Sequence, residues 1–228
     1  MKHVLLLGLS LIFVGCANFG EIEDPLATYH ESQPRSILIV PILNNSVEVL
    51  AGDLAVTTLP KLLSDQGYYV FPVHTVKALF QSEGLYEPAE IHQQPSEVIA
   101  ELFSADSILY IIIHTWTAQY IVLNTTTTID LEYRMTNAQG EQIFHKRQKL
   151  SYSPESSTNE EASLIESLLF SAISAAFERA DPEFIPLTRR ANERAFLFSK
   201  PALPPGPYSI EYNRYYDIDE EAFLIIEE

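Results

Sequence analysis

Residues 36–42 read Ser-Ile-Leu-Ile-Val-Pro-Ile, and residues 107–113 read Ser-Ile-Leu-Tyr-Ile-Ile-Ile. Both are short, unbroken apolar runs rich in β-branched side chains, with no polar residue at every second position. A strand with only one dry face alternates, whereas a strand buried on both faces does not, so these two runs belong to the parallel part of a sheet. The second run is the most apolar in the chain and takes the central place.

The chain between them supplies crossover helices. Asn45 and Glu48 have capping-box spacing at the start of a helix that runs to about Gln66 and stops at Gly67, with Pro60 expected to kink or divide it. Tyr68 to Phe71 forms a second strand, closed by Pro72. Val73 to Glu83 forms a helix ended by Gly84, and Pro95 to Phe103 another, with Ser96 as its candidate cap. The order so far is β-α-β-α-α-β, as parallel crossover units require.

After His114 the pattern changes. From Thr125 to Thr136, Ile129, Leu131, Tyr133 and Met135 point one way, and Asp130, Glu132, Arg134 and Thr136 the other. That is a strand with one dry and one wet face. Asn137-Ala-Gln-Gly140 is a hairpin turn, and Glu141 to Tyr152 returns antiparallel. Thr158 and Glu161 make a capping box for a last long helix, which Asp181-Pro182 ends. Its narrow polar stripe implies a mostly buried helix, packed across the sheet or partly against another subunit. The expected fold class is α/β, with a mixed parallel and antiparallel sheet in the order β-α-β-α-α-β-β-β-α and helices forming a two-layer or three-layer sandwich. The domain spans 36–181. Residues 182–228 form an extension with a helix-like piece at 187–198, a stiff Pro-rich segment at 201–207 and an acidic tail.

The amino terminus carries a different signal. Val4 to Val14 is an apolar run too short for a bilayer, which needs about 20 residues. It reads as a secretory leader over residues 1–15. Phe13-Val14-Gly15-Cys16 ends that run on the sole cysteine of the chain and resembles a bacterial lipobox. By that resemblance Cys16 receives diacylglycerol and palmitate-type acyl chains that hold the protein to a membrane, because several chains anchor stably where one does not. The alternative is an ordinary signal peptide cut at a small-x-small site ending at Ala17. Ala17 stands where retention in the inner membrane often shows aspartate, so the expected place is the outer membrane, facing the periplasm. Residues 16–35 read as a lipidated linker whose last eighteen residues reach on the order of 60 Å when extended. A lone cysteine forms no internal disulfide, so stability must come from the core.

The formal charge is −17, a surface that repels nucleic-acid phosphates and anionic headgroups. Nucleic acid is therefore excluded as a partner. There is no P-loop, dinucleotide fingerprint, Gly-x-Ser-x-Gly elbow or His-Glu-x-x-His, and neither a catalytic residue, a metal site nor a cofactor is expected. Asp106 and Glu48 are better explained as cap or loop carboxylates than as acid–base groups. The one basic cluster is His145-Lys-Arg-Gln-Lys149. Lys146, Arg147 and Lys149 either meet an acidic partner or a phosphate-bearing lipid, or pair across strands with Asp130, Glu132 and their neighbours.

The stretches SILIVPILNNSVEV, GYYVFPV, GLYEPAEIHQ and LPPGPY, together with the lipobox, resemble an uncharacterised family of bacterial lipoproteins. That family is allied to the CsgG-type lipoproteins of curli secretion, and its fold is similar to the amino-terminal α/β domain of TolB. The resemblance implies a periplasm-facing lipoprotein of a transport or surface-assembly system, with envelope protein partners such as CsgG-like lipoproteins and no catalytic residues. The leading expectation is a non-enzymatic accessory or scaffold that docks protein partners and can self-associate. The second is a periplasmic ligand-binding or hydrolytic domain whose site lies near Asn44, Asn45, Phe71 and Pro72, at the carboxyl ends of the parallel strands. The third is a subunit of an oligomeric secretion pore, for which His114 to Leu123 is the nearest membrane-inserting candidate.

Overall fold

The computed structural model describes residues 24–121, 124–153 and 184–216. Cys16, the helix expected over 158–181 and the end of the acidic tail lie outside them. The elements are α1 (Ala27–Ser32), β1 (Ser36–Ile39), β2 (Leu43–Asn44), α2 (Ala51–Val56), α3 (Pro60–Asp65), β3 (Tyr69–Val70), α4 (Val73–Ser82), α5 (Pro88–Ile91), α6 (Ser96–Phe103), β4 (Ser107–Ile121), β5 (Asn124–Asn137), β6 (Gln142–Tyr152), α7 (Phe184–Phe196) and α8 (Tyr212–Tyr215).

The sheet is mixed, in the order β3-β1-β4-β5-β6, with β2 also paired to β4. β3, β1 and β4 are parallel, and β4, β5 and β6 are antiparallel. β1 and β2 lie end to end along β4, because Pro41 cannot donate a ladder hydrogen bond and interrupts the expected 36–42 strand. Leu38, Val40, Ile108 and Tyr110 face α4, α5 and α6, meeting Val76, Phe80, Ile91 and Ile99. Ile37, Ile39, Leu109 and Ile111 face the other way, toward Ala55, Leu59, Leu63 and Ala191. The parallel half is thus covered on both faces, which is why its strands do not alternate.

β5 alternates as its sequence requires, with Ile129, Leu131, Tyr133 and Met135 in the same core as Leu187 and Phe196 of α7. β4 runs well past the apolar 107–113 run. A register shift between Ile113 and Thr115 lets His114 bulge, so that Trp116 falls on the core face, stacked on Phe184 at 4.9 Å.

Several local expectations are corrected. Asn45 and Glu48 form no capping box: α2 begins only at Ala51, and its flanking residue Leu50 makes no side-chain cap. Pro60 divides the expected helix into α2 and α3, sitting in the first turn of α3 where its missing N–H costs nothing. Ser96 does not cap α6; its hydroxyl bonds the Tyr110 hydroxyl at 3.0 Å. The supposed linker 16–35 carries α1, whose Tyr29 is buried and bonded to the Tyr68 hydroxyl. The supposed extension is also part of the core: Gly206 N–H donates to Gln66 O at 2.8 Å and Tyr208 N–H to Gly67 O at 3.1 Å, while Leu203 is buried.

Candidate binding cleft at the ends of the parallel strands

The chain leaves β1 for α2 on one face of the sheet and leaves the adjacent β3 for α4 on the other. Neighbouring strands whose continuations part in this way open a crevice at their carboxyl ends. A cleft of about 670 Å³ occupies that position. Ile39, Pro41, Leu43 and Asn44 form its floor, α2 contributes Asp53 and Val56, α4 contributes His74 and Lys77, and Tyr86 and Glu87 stand before α5.

Lys77 Nζ lies 2.9 Å from Asp53 Oδ1, joining the two walls. Both side chains are largely solvated, so the pair contributes little to stability and can rearrange around a ligand. His92 holds the floor from behind, donating Nε2–H to Pro41 O at 3.0 Å; its burial pushes the imidazole pKa below the ordinary value.

The 45–50 loop shapes the mouth. Asn44 Oδ1 accepts from Ser46 N–H at 3.0 Å and from its hydroxyl at 2.7 Å, and Asn44 Nδ2 donates to Glu48 O at 2.7 Å. Such side-chain turns compete with helix formation, which is why α2 starts late. The turn displays Val47 and Val49, 94% and 87% exposed. Leu50 and Tyr86 are exposed as well. Val49 and Tyr86 line the cleft, and Val47 and Leu50 flank Val49 in the chain; exposed large apolar side chains grouped at a cleft mark an interaction site.

Of the residues expected here, Asn44 lines the cleft. Asn45 lies just beyond it, giving its N–H to Ile113 O at 2.9 Å. Phe71 turns toward α6, with ring centroids 5.1 Å from Tyr69 and 6.3 Å from Phe103, and Pro72 starts α4 on the exposed side. Asp53 and Lys77 escaped sequence reasoning because no local spacing links residues on separate helices. Val47 and Val49 offered one usable signal, two apolar residues in a stretch otherwise rich in turn formers.

The basic cluster is elsewhere, on β6. Arg147 grips Asp130 with two bonds of 2.9 Å. His145 Nε2 and His114 Nε2 lie 3.0 Å and 2.6 Å from the two oxygens of Glu132. The Arg147 hydrogen bonds hold the Asp130 carboxyl below its usual range, and those of His145 and then His114 do the same for Glu132. Lys149 stands opposite Asp130 in the register. Lys146 points to the other face, donating to Lys200 O at 3.1 Å, and burial lowers its pKa. Among the described residues no group of three or more His, Cys, Asp or Glu is placed to hold a metal ion. No described helix is long and apolar enough to cross a membrane. Asp106 is structural: its Oδ2 accepts from Arg35 N–H at 3.0 Å and the Ser36 hydroxyl at 2.9 Å, clamping the starts of β1 and β4.

The domain is of the open-sheet α/β class, with a crevice where its strand connections diverge. Residues 25–208 match the family model described as "Putative lipoprotein GNA1162-like", and the chain belongs to that family. A curated relative, "Putative lipoprotein NMB1124/NMB1162" of Neisseria meningitidis serogroup B, is 35% identical over 138 residues, 59% of this chain and 63% of the relative. The chain thus spans just under two thirds of that relative's length. The crystal structure of lipoprotein GNA1162 from Neisseria meningitidis superposes with a TM-score of 0.50 at 30% identity, covering 64% of this chain and 99% of that one. The carboxy-terminal domain of LpoB from Salmonella enterica overlaps more loosely, with a TM-score of 0.38 at 22% identity over 55% of this chain and 93% of the other.

Proposed function

We propose that the protein is an envelope lipoprotein, held at the outer membrane by acyl chains on Cys16, facing the periplasm and docking protein partners without catalysing a reaction. The family match over 25–208 carries this reading, and the lipobox at Phe13 to Cys16 agrees with it. The apolar rim of Val47, Val49, Leu50 and Tyr86 supports docking, since exposed patches of this kind favour contact with another protein. The partner system is taken to be a transport or surface-assembly assembly of the CsgG-like kind, in which the protein acts as accessory or scaffold.

Metabolic labelling with palmitate tests the anchor. The wild-type chain is expected to incorporate label and sediment with membranes, and Cys16→Ser to do neither. An unlabelled wild-type chain released by osmotic shock would overturn the reading. Affinity purification from detergent-solubilised envelope tests docking: one specific co-purifying protein is expected, and its loss in Val49→Asp ties it to the rim.

The cleft favours a second reading, a periplasmic ligand-binding or hydrolytic domain, because a crevice at diverging strand connections is where open α/β sheets hold small ligands. Saturable binding of a small metabolite, abolished by Asp53→Ala with Lys77→Ala, would establish it.

A further inference from the structure

We infer that the aromatic surface formed by α8 and the turn before it rests on the headgroup layer of a zwitterionic bilayer, so that side chains as well as acyl chains hold the body to the membrane. This goes beyond the docking reading above and rests on its anchor at Cys16.

Four of the chain's twelve tyrosines fall within residues 208–216, yet no residue of α8 is buried, so the core does not account for them. Tyr208 and Ile210 on the turn are 67% and 95% exposed, and Tyr215 on α8 is 46% exposed. The segment that carries them is fixed. Gly206 and Tyr208 bond the backbone of Gln66 and Gly67, and Tyr212 N–H donates to Ser209 O at 3.2 Å. Behind the exposed side chains the Tyr216 ring lies 4.7 Å from that of Tyr212, 4.9 Å from that of Tyr215 and 5.7 Å from that of His30. These ring contacts fasten α8 to α1, so the surface is preformed.

His30 ties that surface to the anchor. Its Nε2 lies 3.6 Å from Asp24 Oδ2, and its ring lies 6.1 Å from the Tyr215 ring. Only residues 17–23 separate Asp24 from Cys16, a span of about 28 Å when fully extended. An anchored chain therefore keeps this end of the sheet within reach of the bilayer, at an effective concentration on the order of millimolar. Contacts too weak to recruit a free protein then suffice to orient a tethered one. Tyrosine suits the headgroup layer, because its ring is apolar and its hydroxyl stays wet.

Charge selects the lipid. Glu211 and Arg214 pair at 3.7 Å within the segment, whereas residues 217–228, which follow Tyr216 directly, hold six acidic residues and no basic one. Anionic headgroups repel such a neighbour and zwitterionic ones do not.

The full-length lipidated chain in vesicles of phosphatidylcholine and phosphatidylethanolamine tests this. Acylation consumes the sole native thiol, so Ile210→Cys gives one site for an environment-sensitive fluorophore. Val47→Cys, at the other end of the strands, gives the comparison. Phosphatidylcholine with a doxyl group near its headgroup should quench the Ile210 probe about threefold more strongly than the Val47 probe. Adding Tyr208→Ser and Tyr215→Ser should abolish that difference and keep the wild-type urea midpoint, since both side chains are exposed. Admixed phosphatidylglycerol should reduce the difference about twofold at low salt, and added salt should restore it. Equal quenching at the two sites, indifference to the tyrosine substitutions, or a difference that grows with phosphatidylglycerol overturns the proposal. An Ile210 probe that is blue-shifted yet unquenched by doxyl lipid would assign the surface to a protein, a second copy included, and overturn it too. Palmitate labelling of the same protein reads the anchor separately: labelled protein with equal quenching leaves Cys16 lipidation standing, and unlabelled protein overturns both.

Discussion

The Tyr133 hydroxyl on β5 donates to Asn192 Oδ1 on α7 at 2.6 Å, with both side chains buried. Asn192 Nδ2 in turn donates to Thr58 Oγ1 at 2.7 Å, and that hydroxyl donates to Ala55 O at 2.6 Å. A polar chain thus joins the sheet, the helix beneath it and the turn between α2 and α3. Each link is satisfied, as buried polar groups must be.

Tyr133→Phe should therefore destabilise the fold by about 1–3 kcal/mol, since it strands the Asn192 acceptor. Asn192→Ala should cost more, because it strands both neighbours and leaves a void. The double variant should cost less than the two together, the non-additivity expected of one network. Urea unfolding of the three variants measures it.

Asp130 and Glu132 make stability depend on pH. Both carboxyls are held below their usual range by Arg147 and by the two histidines. A group with a depressed folded pKa gives its full stabilisation above the unfolded value, near 4, and loses it as pH falls through the folded value. The urea midpoint should therefore fall progressively below about pH 4. Asp130→Asn with Glu132→Gln should be less stable at neutral pH but show a flatter acid limb. An unchanged limb would remove these carboxyls from the cause.

Trp116 is the sole tryptophan; it is buried against Phe184, and among the described residues its Nε1–H has no hydrogen-bond partner. Its contribution is thus packing, not hydrogen bonding. Trp116→Ala should cost about 3–5 kcal/mol, as large aromatic truncations do, and Trp116→Phe clearly less. Blue-shifted indole emission that moves red on unfolding provides the readout.

Much of this architecture is written in local pattern. The two unbroken apolar runs mark doubly covered strands, and alternation from Ile129 to Met135 marks the strand that has one wet face. What pattern hid was decided across distance. Thr115 to Ile121 looked unlike the rest of β4 because the bulge at His114 resets its phase. α1 looked like linker because Tyr29 is its one buried residue, with Leu26 before it and Pro34 after it, too few for a periodic signal. At the cleft, Asn44 was recognisable as a strand-end residue, whereas Asp53 and Lys77 meet only through the packing of α2 against α4. Lys146, Arg147 and Lys149 read as one basic run, yet strand alternation sends Lys146 to the opposite face from Arg147 and Lys149.

Gly206 sits so close to the backbone of Gly67 that a Cβ added there would lie 2.3 Å from Gly67 O. Gly206→Ala should pry the 203–216 segment from α3 and expose the Tyr68 hydroxyl, which now donates to Pro204 O at 2.6 Å. Faster chymotryptic cleavage after Tyr208 than in wild type is the expected result; equal rates would show that the contact is dispensable.

α1 docks where β1 and β3 begin, and the recess opens where they end. A chain held at Cys16 meets the folded body by Asp24, after about eight residues that reach at most some 28 Å. If Cys16 is acylated as proposed, the tether joins the body at the pole opposite the recess, an arrangement that would offer the recess to partners across the aqueous gap sooner than to the lipids underneath.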